Sequence, residues 1–253
     1  VSAETPQPVG SAGPARRGRS ARPSRPARSG IRRITGSFWF NLLAAFVVLA
    51  LVQAFLVKVY YVPSGSMQQT LSIGDRLLVD RVSLDFSDPK DGDIVVFTAS
   101  DLWGETPEQP SNPLLYAVRW LGGIVGVGPN LDHTLVKRVI AGPGQTVSCC
   151  DAEGHLLVDG LAVDEPYVYA DYPFAPGSFD CGSTPVSMRC FGELTVPAGQ
   201  YFVLGDHRSN SNDSIFACRG RDPTSACLKM VGRGDIVGRV AAIVFPPSDW
   251  RGF

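Results

Sequence analysis

Residues 38–59, FWFNLLAAFVVLALVQAFLVKV, hold only Asn41, Gln53 and Lys58 as polar interruptions, and no other stretch constrains the fold of this chain so strongly. As a helix rising about 1.5 Å per residue, such a run is long enough for a hydrocarbon layer of about 30 Å. Lys58 lies at the end, where a long side chain snorkels to the interface. Phe38, Trp39 and Phe40 at one end and Tyr60 and Tyr61 at the other fit an aromatic belt. The run is long for the apolar part of a cleaved leader and no small-x-small site follows it promptly, so an uncleaved anchor is expected. No later stretch reads as a second span; residues 114–127 are broken by Arg119 and a glycine pair.

The charge beside the run orients it. Residues 1–33 hold eight arginines against one acid, Glu4, with Pro, Ser, Gly and Ala supplying most of the remainder. Such a segment cannot bury a core, and residues 1–37 are expected to be a disordered Arg-rich tail. Its charge of +7 leaves about −8 on the rest of the chain, so the net charge of −1 hides a strong asymmetry. An arginine-rich arm also suits nucleic acid, but this one lacks the aromatic interleaving or recognition helix that such binding needs. Beside an apolar span (residues 38–59), the positive-inside rule puts the tail in the cytoplasm and residues 60–253 outside. At 44% hydrophobic content, the chain has enough apolar residues for a sizeable core there.

That outer part opens with YYVPSGSMQQTLSIGDRLLVDR, residues 60–81, in which Ser66 stands between Gly65 and Met67 and follows Pro63 and Ser64. The backbone is stiffened on one side of this serine and open to close approach on the other. On local grounds alone it is a linker serine after an anchor. Residues 73–79 read as a turn entering a strand, and residues 90–97, KDGDIVVF, as a turn followed by a buried strand. Residues 101–129 are rich in Pro, Gly and Trp and only weakly periodic, and their middle suits the membrane surface or the fold equally. In HTLVKRVIAGPGQTV, residues 133–147, alternation sets Lys137 on one face with Leu135 and Val139 while Arg138 points the other way. A lysine on an apolar face is costly unless neutral or paired. The ordinary alternative is an edge-strand lysine that discourages aggregation.

The six cysteines, Cys149, Cys150, Cys181, Cys190, Cys218 and Cys227, all fall on the outer side, where disulfides persist. Fifteen pairings are open to six cysteines; Cys181 with Cys190 and Cys218 with Cys227 are the local closures expected. With no paired C-x-x-C and three scattered histidines, a zinc site is disfavoured, and no metal or organic cofactor is expected. Residues 148–195 read as a β-rich, disulfide-containing insertion. The chain returns with VPAGQYFVLGDHRSNSNDSIF, residues 196–216, a strand running into a polar loop that bears Asp206, Arg208, Ser209, Ser211, Asp213 and Ser214. DIVGRVAAIVF, residues 235–245, closes the domain.

In order, the chain offers Ser-Met just past an anchor, GDIVVF, VKRVIAGPG, and YFVLGD followed by a Ser- and Asp-bearing loop. This series resembles the type I signal peptidases, the membrane-bound Ser/Lys endopeptidases that remove signal peptides from exported proteins. The resemblance covers most of residues 60–245, with order and spacing kept. It implies a mainly β fold: an antiparallel β-sheet catalytic domain with a smaller β-rich insertion, preceded by one transmembrane helix. It further implies Ser66 as nucleophile, Lys137 as general base, Ser64 with the Ser66 backbone N–H as oxyanion hole, and Ser211 as the hydroxyl that orients the lysine. Tyr60, Val62, Met67, Leu71 and Val136 are implied as lining of the substrate pockets, and Arg138 with Asp206 as a structural ion pair. The implied partners are membrane lipid and the signal peptides of exported preproteins, cut after small residues at −1 and −3 on the outer face of the plasma membrane; nucleic acid is not expected.

Physical chemistry is consistent with these roles. Lysine, with a pKa of about 10.4 in water, serves as a base for serine only if burial depresses it toward neutrality. An oxyanion donor is worth roughly 3 to 4 kcal/mol in the transition state. An extended substrate would dock as a strand, with main-chain hydrogen bonds supplying much of the affinity. His133, His155 and His207 are expected to be surface or loop residues. Four positions depart from the family pattern: Gln69 stands where proline is usual, His207 where asparagine is, Ser209 where aspartate is, and Ile215 where arginine follows Asp-Ser. The last leaves Asp213 without its expected partner, so the loop should be held differently, with the nearby Cys218–Cys227 closure as one means. Two other classes make different demands: an inactive scaffold need not keep both Ser66 and Lys137, and a Ser/Lys self-cleaving regulator would carry a DNA-binding module and no span.

Overall fold

A computed structural model describes residues 37–104, 112–115 and 133–253; residues 1–36 of the expected tail and most of segment 101–129 lie outside the described residues. The chain divides into two compact units, Val1–Ala44 and Ala45–Phe253, and the sheets belong wholly to the second.

Helix α1, Phe38–Phe55, is 18 residues long and apolar on every face. Its large side chains stay uncovered: Phe38, Trp39 and Leu43 are 72%, 74% and 62% exposed. The helix is shorter than the apolar run. Strand β1, Val57–Tyr61, takes the end of that run and pairs antiparallel with β2, Arg76–Asp80, in register from Val57 opposite Asp80 to Tyr61 opposite Arg76. β-Branched Val57 and Val59 suit a pleated strand, and β2 satisfies backbone groups that a helix end would leave open. The expected helix through Val59 is therefore corrected to one ending at Phe55, about 27 Å long at about 1.5 Å per residue. Among the described residues no helix is long and apolar enough to cross a membrane.

The fold is mainly β. Among the described residues the larger sheet has the order β1-β2-β11-β3-β4-β9-β10, with β12 added on β11, and every pairing in it is antiparallel. Here β3 is Ile94–Thr98, β4 Thr134–Ala141, β9 Gln200–Leu204, β10 Val231–Gly232, β11 Ile236–Phe245 and β12 Arg251–Gly252. Strand β4 runs between β3 and β9 from Arg138 onward; Lys137 itself faces Val95 of β3 and is buried, so the anti-aggregation reading, which needs a solvent-facing lysine, falls. The excursion forms a smaller antiparallel sheet, β7-β6-β5-β8, from β5 (Thr146–Cys149), β6 (Leu156–Val158), β7 (Leu161–Ala162) and β8 (Phe191–Thr195). Its inner face packs with Ile140, Phe202, Leu204 and Ile215 in one apolar cluster. A second cluster, with Tyr60, Val62, Met67, Leu71, Leu77 and Val79, lies under the Ser66 segment. Each such side chain contributes about 1.5 to 3 kcal/mol by leaving water, so both faces that flank Ser66 and Lys137 rest on firm core.

All six cysteines are paired: Cys181–Cys190 and Cys218–Cys227 as local closures, and Cys149 with its neighbour Cys150.

Candidate active site

Ser66 owes its position to what flanks it. Ser64 is still extended, at φ −132° and ψ 157°, and the chain then tightens into one 3-10 turn, Gly65–Met67. Met67 and Leu71 sink into the core, and the Leu71 N–H donates to the Met67 carbonyl at 2.7 Å. The turn is pinned from below, and the buried Ser66 hydroxyl is aimed inward toward β4.

There Lys137 Nζ stands 2.6 Å from Ser66 Oγ, with the Val136 carbonyl accepting a second bond at 3.2 Å. Lys137 is 3% exposed and lies opposite Val95 of β3. Burial strips solvent from its ammonium and lowers its pKa from the ordinary 10.5 to about 8, against the smaller opposing pull of the Asp213 and Asp206 carboxylates. A serine hydroxyl in hydrogen-bond reach of an amine that is partly neutral near physiological pH is an activated nucleophile.

The loop leaving β9 closes the site from the far side. The His207 N–H donates to the Ser66 carbonyl at 3.0 Å, and the His207 ring meets Tyr169 edge-on at 5.2 Å. Arg138 grips Asp206 with two bonds, Nε to Oδ1 at 2.9 Å and Nη2 to Oδ2 at 2.7 Å, and gives a third to the Gly92 carbonyl at 2.8 Å. The Tyr167 ring lies against that guanidinium at 3.9 Å. Arg208, 3% exposed, pairs with Glu165 and donates to the Gly205 carbonyl at 3.0 Å. Thus segment 165–170 of the insertion holds the loop that touches Ser66.

A small cavity of about 20 Å³ opens beside the Ser66–Lys137 pair, lined by Tyr60, Val62, Ser64, Met67 and Val136 among others. It has room for little more than one water or a methyl group, given that one water needs about 10 to 15 Å³ by this measure. Ser64 is exposed on its rim. Leu71 is absent from the wall; at 0% exposure it is core beneath the site. Larger hollows elsewhere, such as one of about 390 Å³ by Asp80, Asp93 and Arg239, do not reach Ser66. Ser211 is buried beside Gly205, yet its Oγ makes no hydrogen bond among the described residues, so the lysine-orienting bond is not formed here and the Val136 carbonyl takes that place. His155 is exposed and faces Asp151 at 2.9 Å, and His133 precedes β4; neither joins the pair.

A family model described as signal peptidase, peptidase S26, matches residues 36–245. This chain belongs to that family. Over 233 residues it is 33% identical to a probable signal peptidase I of Mycobacterium leprae, covering 85% of this chain and 79% of that protein. A signal peptidase I of Mycobacterium tuberculosis is 35% identical over 224 residues, 83% of this chain and 73% of that protein. A crystal structure of a signal peptidase I from Enterococcus faecalis matches at 22% identity and a TM-score of 0.31, over 61% of this chain and 97% of that one, a likeness too distant to carry weight.

Two of the four departures from the S26 pattern, at positions 69 and 215, have structural reasons. Gln69 has φ 76°, which a proline ring, held near −65°, cannot adopt. Ile215 is fully buried in the cluster that joins the two sheets, where its aliphatic side chain fills apolar space that a guanidinium would not suit. Asp213 is nonetheless not left alone: Arg219 Nη2 reaches both its oxygens, at 3.2 and 3.3 Å. Sequence reasoning missed Glu165, Tyr167, Gly205 and Arg219. The first, second and fourth lie outside the motifs and carry no periodic signal, whereas Gly205, ahead of Asp206 at the end of a strand, offered a legible hint.

Proposed function

We propose that this protein is a serine endopeptidase that removes N-terminal signal peptides from exported preproteins, cutting after small residues at −1 and −3. The observation that carries it is the 2.6 Å approach of Lys137 Nζ to Ser66 Oγ in a buried setting, in a chain of the S26 family. Neutral Lys137 takes the proton of Ser66 as Oγ bonds to the scissile carbonyl carbon. The oxyanion is met by the Ser66 N–H and the Ser64 hydroxyl. Collapse of this intermediate breaks the peptide bond, the Lys137 ammonium protonates the departing amine, and water, deprotonated by the same lysine, hydrolyses the acyl-Ser66 ester. Rotation of the Ser211 hydroxyl toward the ammonium would steady it between the two steps. The methyl-sized cavity favours alanine at −1, and the substrate docks extended between residues 60–64 and 134–137.

Membrane attachment is part of the same reading. Helix α1, apolar on every face with its side chains uncovered, spans or enters the bilayer together with its flanking residues, leaving the Arg-rich tail cytoplasmic and the sheets outside. The test is cleavage of a preprotein bearing an Ala-x-Ala site, in detergent, between about pH 6 and pH 10, for the parent, Ser66→Ala and Lys137→Met. Both substitutions should abolish cutting, and the parent rate should rise with pH around the Lys137 pKa of about 8. An active Lys137→Met would move the base elsewhere, and an inert parent would favour a scaffold.

A further inference from the structure

We infer that Arg219 is a positioning residue for the Ser66–Lys137 pair, supplying from outside the Ser- and Asp-bearing loop the cation that holds and neutralises Asp213. The inference rests on the endopeptidase reading above and adds to it a residue that lies outside the family's motif. Asp213 is 0% exposed and accepts from Arg219 Nη2 through both carboxylate oxygens. The arginine's own side chain is 3% exposed and packs on the Tyr172 ring at 4.9 Å. Its backbone is fixed on both sides: Cys218 is tied to Cys227 and donates to the Ile215 carbonyl, and Gly220 donates to the Cys190 carbonyl at 2.7 Å. With position 215 given over to the apolar core, the guanidinium arrives from four residues further along.

The consequence is electrostatic. Two carboxylates, Asp213 and Asp206, act on Lys137 in favour of its charged form. Arg138 offsets Asp206, and Arg219 offsets Asp213. Among the described residues Lys229, bonded outward to Asn212 at 2.6 Å, also feels Asp213, while Tyr172 contributes its ring. Without Arg219, a buried carboxylate would act on Lys137 uncompensated, and the ammonium, useless as a base, would persist to higher pH.

Two readouts on the full chain in detergent test this. One is the pH profile of kcat/KM on an Ala-x-Ala preprotein. The other is NMR titration of Lys137 in protein carrying labelled lysine, tractable because the chain has four lysines and Lys137→Met identifies the signal. Arg219→Gln should move both midpoints up by about one unit and lower kcat about tenfold on the rising limb with little change in KM. Arg219→Lys should keep both midpoints near the parent values, and Asp213→Asn combined with Arg219→Gln should restore them. An unmoved midpoint with uniform loss at every pH would reduce Arg219 to a structural role and overturn the inference. Should Arg219→Gln not fold, Asp213→Asn decides: its Lys137 midpoint should fall, and an unchanged one overturns the inference. Cutting by Ser66→Ala would defeat the endopeptidase reading instead, and the titration would still judge Arg219.

Discussion

Gly205 and Ser211 come so close that a Cβ on the glycine would collide with Ser211 Oγ, and would lie 2.5 Å from the Ser66 carbonyl oxygen. The hydroxyl can turn away, but the Ser66 backbone cannot, because the His207 N–H already holds that carbonyl. Gly205→Ala must therefore push the loop off Ser66. Displacement of about 1 Å costs roughly a hundredfold in rate. Steady-state cleavage should show a loss of that order in kcat, with the fold retained by circular dichroism; activity within about threefold of the parent would mean that the loop is not held against Ser66.

Burying Lys137 has a cost that its removal should reveal. Its pKa is about 8 in the folded chain against 10.5 in the open one, so the native state binds its proton more weakly. By linkage the penalty is complete below about pH 8, shrinks as pH rises toward 10.5 and then disappears. Lys137→Met should accordingly be more stable than the parent by on the order of 3 kcal/mol at neutral pH, the gain fading above pH 8. Urea unfolding at about pH 7 and about pH 10 measures it; equal gains at both would assign the effect to packing alone.

The cavity beside Ser66 measures about 20 Å³ and is walled by fully buried Tyr60 and Met67. A phenylalanine or tyrosine at −1 cannot enter without moving core. Competition between Ala and Phe at −1 in otherwise identical preproteins should favour alanine by at least roughly a hundredfold in kcat/KM. Comparable cutting of both would dismiss the pocket as the source of specificity.

Glu165 and Arg208 are 7% and 3% exposed at their side chains, and their pair ties the insertion to the loop after β9. Removing one member strands the other charge. Glu165→Gln should destabilise by about 3 to 5 kcal/mol, read as a lower denaturation midpoint with the denaturant slope unchanged. A shift of under about 1 kcal/mol would show the pair to be solvated and the insertion loosely docked.

What the sequence by itself determined is local and ordered. Alternation in residues 133–141 made a strand and set Lys137 on an apolar face. The series of motifs, read as a resemblance, named Ser66 and Lys137 together, and hydropathy marked the segment that became α1. Such signals survive in sequence because period and composition act over a few neighbouring residues. Tertiary structure decided the rest. The apolar run was divided between helix and strand because β2 offered Val57–Tyr61 a partner, which no hydropathy pattern reveals. Packing of β4 against β3 on one side and the Ser66 turn on the other dried the lysine and brought it to a serine 71 residues away. The partner of Asp213 was chosen by core packing: with Ile215 filling the apolar space between the two sheets, the cation had to come from Arg219. Contacts between distant segments depend on how whole sheets pack, and neither the period nor the spacing of residues records that.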